Sequence, residues 1–548
     1  MNKNSASDIP NNQKQLLFWA SFLALTAAGV GFVFRVMIPN MWADNFQVTL
    51  VEVGALTGAA LWPIAITMIL FSLIVDKIGY KVSMFFAFAL QAISVVLTYL
   101  ASDFTMMWWA CFCAGLGHGV VEAVINPLCA SLYRDSKSKM LNILHASWPA
   151  GIVLGGVFYL LLVNVNAKPE WADVKWVFWF MLLPVIAYGI MFFLCNRFPV
   201  DERVEANVPM KEMLREFGGL GAFLAAAFLL YEIFGQVGAD EWIKGLSMGA
   251  NGRLWICLGL GAVIGCVVGF VVGSPGKILF FILCLIMIPL ATAELATDAW
   301  IRTLMEPILG TELSGWAIVL SAGIMMTLRF FAGIPLKVMS PPMLLLVSSI
   351  FSIIGLYALS VASGALIFVA FVLYAIGQTF YWPTVLGFVS EQFPRGGAMT
   401  LNTVSAMGLL TVGIFGFPFL GAVQDHYTTQ TIIQNEAVVY NEVVDEKKTF
   451  VDVTDPDNPI EKAIYENKNF FGVTYDSVNA GEFKKLLPKE KQEQLDDKLD
   501  VTSQSSLKVA AVLPLIMAIA FILILIYYAA IGGYKPVVLA DEVDKKAA

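Results

Sequence analysis

The chain has 548 residues, 58% of them hydrophobic and only 14% charged, with a net charge of −8 and a mean hydropathy of +0.74. Soluble domains carry roughly 45–50% apolar and about 25% charged residues, so a water-soluble globular enzyme is excluded at the outset. The acidic excess is local: between Gln424 and Leu507 there are 17 Asp and Glu against 9 Lys, and that stretch accounts for the imbalance.

The chain opens on MNKNSASDIPNNQKQ, a polar lead without a cleavage site, so the first apolar run is expected to stay as a membrane helix. Runs of about 20 apolar residues, enough to cross roughly 30 Å of hydrocarbon, recur fourteen times. They lie near 16–38, 51–75, 80–100, 105–132, 142–163, 175–195, 217–238, 253–273, 278–297, 313–335, 342–361, 365–389, 400–422 and 508–531. An all-α membrane protein follows. The seven cysteines all fall in apolar runs, so no disulfide framework is implied, and the Cys111-x-Cys113 spacing does not suit a zinc pair. With the N-terminus inside, the inner loops and tails would hold 17 Lys and Arg and the short outer loops 5, which predicts both termini in the cytoplasm. The segment 424–507 then lies outside. It is too long for an ordinary connection; a cap domain is one reading, and a partly ordered insertion without chemistry is the favoured one.

Sliding the chain against itself by 260 positions aligns it without a gap from the first helix to the fifth. Gly117-His118 falls on Gly377-Gln378, Glu122 on Trp382, Tyr133 on Phe393, Leu141-Asn142 on Leu401-Asn402, Ala146 on Ala406 and Gly156 on Gly416. Phe71 falls on Phe331 and Lys77 on Lys337, and Arg35 lands beside Glu294. Two copies of one helical unit, with polar groups at matching depths, mark a transporter built from two halves. Six helices joined by a plain linker would repeat at roughly 200 residues. The surplus is a helical hairpin, 217–238 plus 253–273, whose second member carries Gly261, Gly265, Gly269 and Gly273 as a close-packing face. The expected division is a tail at 1–15, a six-helix bundle at 16–195, a linker with the inserted hairpin at 196–277, a second six-helix bundle at 278–531 interrupted by 424–507, and a tail at 532–548.

Charged groups in hydrocarbon are costly unless paired or wetted, so each one inside a run is a functional candidate. Glu122 leads. At helical spacing it shares a face with His118 and with Asn126, and Pro127 frees a backbone carbonyl that a ligand or water could use. A carboxylate there could bind and release a proton; the alternative is a structural partner for a neighbouring helix. His145 and Trp148 lie three apart in the next run, and Gln378, Tyr381 and Trp382 form a similar set in the second copy. Planar aromatics beside amides and hydroxyls suit a sugar, whose CH faces stack while its hydroxyls hydrogen-bond. Core packing is the competing explanation for each of these. Arg35 and Glu294, near the outer ends of core helices one and seven, are read as a gate that makes and breaks an ion pair, or as interfacial side chains that snorkel. Asp298 and Trp300 read as interfacial anchors, and Arg329 as structural. Asp76, Lys77 and Gly79 at the turn between the second and third helices suit a charged latch between helix ends.

That turn resembles the motif between helices two and three of the major facilitator superfamily: Asp76, Lys77, Gly79 and Lys81 match, while Ser72 and Tyr80 depart from it. Within the superfamily the chain is similar to the fucose–proton symporter group, through Glu122 followed by Asn126-Pro127 and then Leu141-Asn142. FRVMIP, LNILHASWP, ELATDAW, LRFFAG and SEQFPRGGA look like a bacterial branch of it. The resemblance implies two six-helix bundles, here with the extra hairpin, in a bacterial inner membrane, and a Glu that takes part in proton coupling. The helix-one position aligned with that group's coupling Asp is Arg35.

No P-loop, HExxH or nucleotide fingerprint is present, which disfavours an ATP-driven pump or a metalloprotease. No enzyme activity, cofactor, metal or nucleic-acid partner is expected, and a monomer is. Three functions remain: a secondary transporter of a small polar solute, most readily a sugar, with protons as a candidate partner through Glu122; an uncoupled facilitator of the same build; and a solute-binding membrane sensor that signals through its outer loop. Core helices one, four, five, seven, ten and eleven would line the transporter's cavity. Deleting 428–503 and measuring solute uptake separates the last from the others: a transporter is expected to keep its uptake, and complete loss with normal membrane insertion speaks for the sensor.

Overall fold

The computed structural model describes residues 9–48, 50–163, 167, 169–244, 251–436, 438–444, 447–452, 465–487 and 489–539. Most of the expected N-terminal tail, the end of the C-terminal one and the centre of the 424–507 segment lie outside the described residues. Fourteen of the described helices are long and apolar enough to cross a membrane. They are α1 Asn11–Met37, α2 Val53–Ile78, α3 Tyr80–Leu100, α4 Phe104–Leu132, α5 Arg134–Leu162, α6 Trp171–Leu194, α7 Met210–Gln236, α8 Gly252–Val272, α9 Ile278–Trp300, α10 Glu312–Lys337, α11 Pro341–Leu359, α12 Leu366–Gln392, α13 Pro394–Gln434 and α14 Lys489–Ala530. The first begins directly after Pro10, five residues earlier than hydropathy alone suggests, because polar residues extend a helix past the apolar stretch.

The 260-residue spacing reappears in the turns. Arg134–Ser136, at the start of α5, and Pro394–Gly396, at the start of α13, are short 3-10 turns that long offset apart. Each is followed, after the same interval, by an asparagine that reaches the opposite half. Asn142 donates to the Thr384 hydroxyl (3.2 Å), and Asn402 donates to the Ala123 carbonyl (3.1 Å) and the Ser72 hydroxyl (2.8 Å). The correspondence ends after the fifth helix of each half. The counterpart of α6 would begin near residue 431, where the chain instead leaves the bundle.

α13 and α14 are 41 and 42 residues long, far beyond the thickness of hydrocarbon. Their polar ends carry a small unit rather than a loose insertion. Two hairpins, β1 Val438–Val444 with β2 Lys447–Asp452 and β3 Tyr465–Phe470 with β4 Val473–Val478, are each antiparallel. Ile432, Val478, Phe483, Leu487, Leu495 and Leu499 bury a core of their own. The tip of the second hairpin sets Phe471 against Tyr231 of α7 (6.0 Å between rings) and Phe470 against Phe415 of α13 (5.5 Å).

The inserted pair packs through glycine as expected for three of four positions, Gly269 lying against Gly219. A Cβ on Gly261 would lie 2.8 Å from Ala227 Cβ, and one on Gly265 would lie 2.7 Å from the Gly219 carbonyl oxygen. Gly273 acts differently, since at φ 73° it is the left-handed residue that ends α8. Between α1 and α5 the approach is closer still, since a side chain on Gly151 would collide with the Thr26 carbonyl. That contact fixes the height at which Trp148 and His145 sit beside α1.

Candidate functional site

Proline places the acceptors of this site. A helical carbonyl bonds the N–H four residues on, and proline has none. Three prolines therefore strand three carbonyls inside the bundle: Pro127 that of Ala123, Pro149 that of His145, and Pro383 that of Thr379. All three are taken up by side chains from other helices. Asn402 donates to Ala123, so the carbonyl expected to serve a ligand or water serves the opposite half. Arg329 takes the other two, its Nη1 donating to His145 (3.0 Å) and its Nε to Thr379 (2.6 Å).

The third donor group of Arg329, Nη2, binds Glu294 Oε1 at 2.6 Å, with both side chains almost wholly buried. The other Glu294 oxygen accepts from the Trp382 backbone N–H (3.0 Å). That N–H is available because α12 is interrupted at Thr379–Phe380 and a new helix starts at Tyr381, leaving first-turn donors without intrahelical partners. Glu294 itself lies in a π-helical turn, Thr292–Ala296, of the kind found as a local irregularity at functional sites.

The His145 side chain continues the chain of contacts into the first half. Its Nε2 meets Asn126 Oδ1 at 2.9 Å, and Asn126 Nδ2 donates to Glu122 Oε2 at 2.7 Å. With the amide nitrogen on the carboxylate, His145 is assigned as the Nε2–H tautomer. His118 Nε2 stands 3.7 Å from Glu122 Oε1, beyond a direct hydrogen bond but within ion-pair range. Its ring stacks on Trp148 (5.2 Å between centroids, 18° between planes). Polar contacts thus run Glu122–Asn126–His145–Arg329–Glu294–Trp382 from one half to the other.

The structure brings His118, Glu122, Asn126, His145 and Trp148 into one cluster, and Gln378 and Trp382 into a second around Glu294. Tyr381 is fully buried and its hydroxyl faces Ser349 and Ser352 of α11, away from the first cluster. Gln378 donates to Asp298 Oδ1 (2.9 Å), which also takes the Ser321 hydroxyl (3.2 Å). Asp298 is therefore tied to the second half's core rather than anchored at an interface. The expected pairing of Arg35 with Glu294 is not formed. Glu294 belongs to Arg329, and Arg35 lies against Cys111 in its own half. Matching depth on two sides of a symmetry axis is not proximity. Arg329, read from the sequence as structural, holds the two halves together here, and only the two prolines on other helices hinted at its partners.

At the basic end of the bundle, Asp76 joins Arg203 of the linker rather than Lys77, which is exposed. Arg134 pairs with Glu205, and Lys137 with Glu202 at 2.5 Å. Ser138 donates to Glu391, and Lys137 reaches the Ser390 carbonyl (3.2 Å), so the two halves are sealed together there. The hydrogen bonds between the halves named above lie at this end or at the level of Arg329. Burial, with the charge of Asp76 adding to it, pushes the Asp201 carboxyl up to about 6, against the pull of Arg203.

Residues 17–416 match the family model described as Major Facilitator Superfamily. The chain belongs to the major facilitator superfamily. The transporters of that superfamily with similar solved structures include the E. coli fucose:proton symporter FucP, 14% identical with a TM-score of 0.51, covering 75% of this chain and 92% of that one. The proton:xylose symporter XylE of E. coli is 14% identical (TM-score 0.51, 76% and 90% covered). A bacterial homolog of the human lysosomal transporter Spinster is 15% identical (TM-score 0.55, 94% and 97% covered). At these identities the likeness is one of fold. No curated protein matches the chain.

Two measurements follow. Arg329→Met leaves a buried carboxylate and two carbonyls without their donor, and a loss of about 3–5 kcal/mol is expected. The double variant with Glu294→Gln should recover part of it, and additive losses in thermal unfolding would show that the two side chains do not act as a pair. For Asp201 the folded value is raised above the ordinary 3.8, so its contribution is fully present below about pH 4 and is lost as pH rises through 6. The melting temperature of the protein relative to Asp201→Asn should therefore fall between pH 4 and 6 and level off above it.

Proposed function

We propose that this transporter is a secondary carrier of a small polar solute, most readily a sugar, with Glu122 as the group that takes up and releases the coupling proton. The observation that carries this reading is the unbroken polar chain from Glu122 through His145 to Arg329 and Glu294. It sets a carboxylate with amide and imidazole neighbours next to a stacked His118–Trp148 surface. The stacked rings offer an apolar face for a sugar ring, and Asn126, His118 and Glu122 offer hydrogen-bonding groups beside it. The fucose and xylose proton symporters among the similar structures favour the same chemistry.

Coupling through Glu122 works by competition. As a carboxylate it accepts from Asn126; protonated, it must donate, and the Asn126 amide then has to turn or move. Because Asn126 is held by His145, and the His145 carbonyl by Arg329, that change is felt by the second half. Arg35 is a fixed charge of the first half in this scheme, not a gate. The concentration of Lys and Arg at the sealed end supports a cytoplasmic side for it in the cell membrane, and on that reading the arrangement is that of the carrier closed to the inside. The bundles 16–195 and 278–531 are the moving bodies, with the segment 424–507 outside.

An uncoupled facilitator is the second reading, favoured by Arg35 at the position where the fucose–proton symporter group carries its coupling Asp. A thermal-shift screen against mono- and disaccharides identifies the solute, and flux into liposomes with and without a pH gradient then separates the two. Glu122→Gln is expected to abolish accumulation against a gradient while solute exchange persists. Accumulation undiminished in Glu122→Gln removes Glu122 from coupling, whereas flux in the unaltered protein that ignores the pH gradient leaves the facilitator.

A further inference from the structure

The last described residues do not trail away from the bundle. At the end of α14, Gly532 and Gly533 adopt φ of 95° and 97°, values that turn the chain back at little cost only for glycine. The Gly533 N–H caps the helix on the Tyr528 carbonyl (2.8 Å). The turn lays Tyr534 against Phe388 (5.6 Å between rings) and Tyr528 (5.1 Å). The chain then runs across the end of α12. Val537 N–H donates to the Glu391 carbonyl (2.8 Å), and Gln392 Nε2 donates to the Lys535 carbonyl (2.9 Å).

The side chain between these contacts is Glu391. Its Oε2 accepts from the Tyr534 hydroxyl at 2.6 Å. Its Oε1 accepts from both the backbone N–H (3.2 Å) and the hydroxyl of Ser138, in the opposite half. One carboxylate therefore joins the C-terminal segment to the seal. A cavity of about 550 Å³, lined by Lys139, Lys337, Ser138, Glu391, Tyr534 and Pro536 among others, opens beside it. A glutamate with one free oxygen at such an edge would lower its energy by turning into water. The tyrosine removes that option.

We propose that the segment Gly532–Leu539 is a strap that favours the closed basic end, with Tyr534 as a positioning residue that holds Glu391 in the orientation Ser138 requires. Its described hydrogen bonds are all to its own half, so it rides with that half when the ends part. It acts on the balance between closed and open states and not on the solute directly. The strap rests on the reading that the two halves move against each other.

The test is a distance between spin labels at Ser136→Cys and Ser340→Cys, one on each half, in the full-length protein with its own cysteines replaced. Tyr534→Phe removes one hydroxyl and keeps the ring packing. It should raise the open-to-closed ratio about tenfold, the scale of a hydrogen bond to a charged group, and removal of residues 534–548 should do at least as much. Ser138→Ala, which cuts the same contact from the other side, should open the end too. An open end in Ser138→Ala with a closed one in Tyr534→Phe overturns the strap and leaves the carrier standing. Unchanged distances in both variants overturn the strap. Should the truncated chain fail to fold, Tyr534→Phe alone decides.

Discussion

A guanidinium in the middle of an apolar bundle needs acceptors from every side, and Arg329 has them from three helices. Removing such a group from water costs several kcal/mol even after relaxation, and a single carboxylate partner does not offset that. Glu294 supplies one oxygen; the backbone of α5 and of α12 supplies two more. The carbonyls are there because Pro149 and Pro383 cannot bond them. Each stranded carbonyl would by itself cost about 1–3 kcal/mol, and the arginine would be in deficit without them. The two liabilities cancel only together, which fixes the mutual height of three helices from both halves.

The backbone of the protein is duplicated but its chemistry is not. The asparagines that cross between halves, Asn142 and Asn402, occupy matching positions and each reaches the opposite half, the first at the Thr384 hydroxyl and the second at the Ala123 carbonyl. Around them the copies have parted. Glu122 faces Trp382 across the repeat and His118 faces Gln378, while Pro127 and Pro383 do not correspond at all. The first half holds the carboxylate with its imidazoles; the second holds the buried ion pair and the acid–amide pair Asp298–Gln378. Two similar supports thus carry unlike groups, and what joins them is Arg329 on the His145 carbonyl. Ser72 belongs to the same pattern. It departs from the superfamily's glycine, and its hydroxyl receives Asn402.

The fold was legible because duplication writes itself into spacing. Turns such as Arg134–Ser136 and Pro394–Gly396 need particular residues at particular intervals, and the offset of Tyr133 from Phe393 carried straight through to the coordinates. The Glu122 cluster was legible for a local reason: helical periodicity alone puts His118, Glu122 and Asn126 on one face. What periodicity cannot give is a partner on another helix. Glu294 was set beside Arg35 because their depths agreed, and the contact it makes depends on a rotation about the bundle axis that no spacing records. The small folded unit between α13 and α14 was only the second reading of its segment, because its buried Ile432, Phe483 and Leu495 are few and widely separated in a charged stretch.

The contacts that close the basic end differ in kind from those at Arg329. Ser138, Asn142, Thr384, Glu391 and Asn402 make hydrogen bonds that water can replace once the halves part, so each is worth only about 0.5–1.5 kcal/mol net, more where Glu391 is the acceptor. None of them leaves an apolar surface bare. Arg329 has no such exchange available, since it is buried among side chains and its acceptors, two backbone carbonyls and the Glu294 carboxylate, are buried with it. A rotation of one half on the other can therefore undo the end contacts one at a time at modest cost, whereas displacement at the level of His145 would strand a charge. If the halves rock as proposed, the cheapest relative motion keeps Arg329 as its pivot. A pivot at that height also keeps the Glu122 cluster within reach of the second half throughout, which is the condition for a proton at one carboxylate to bias the position of both bodies.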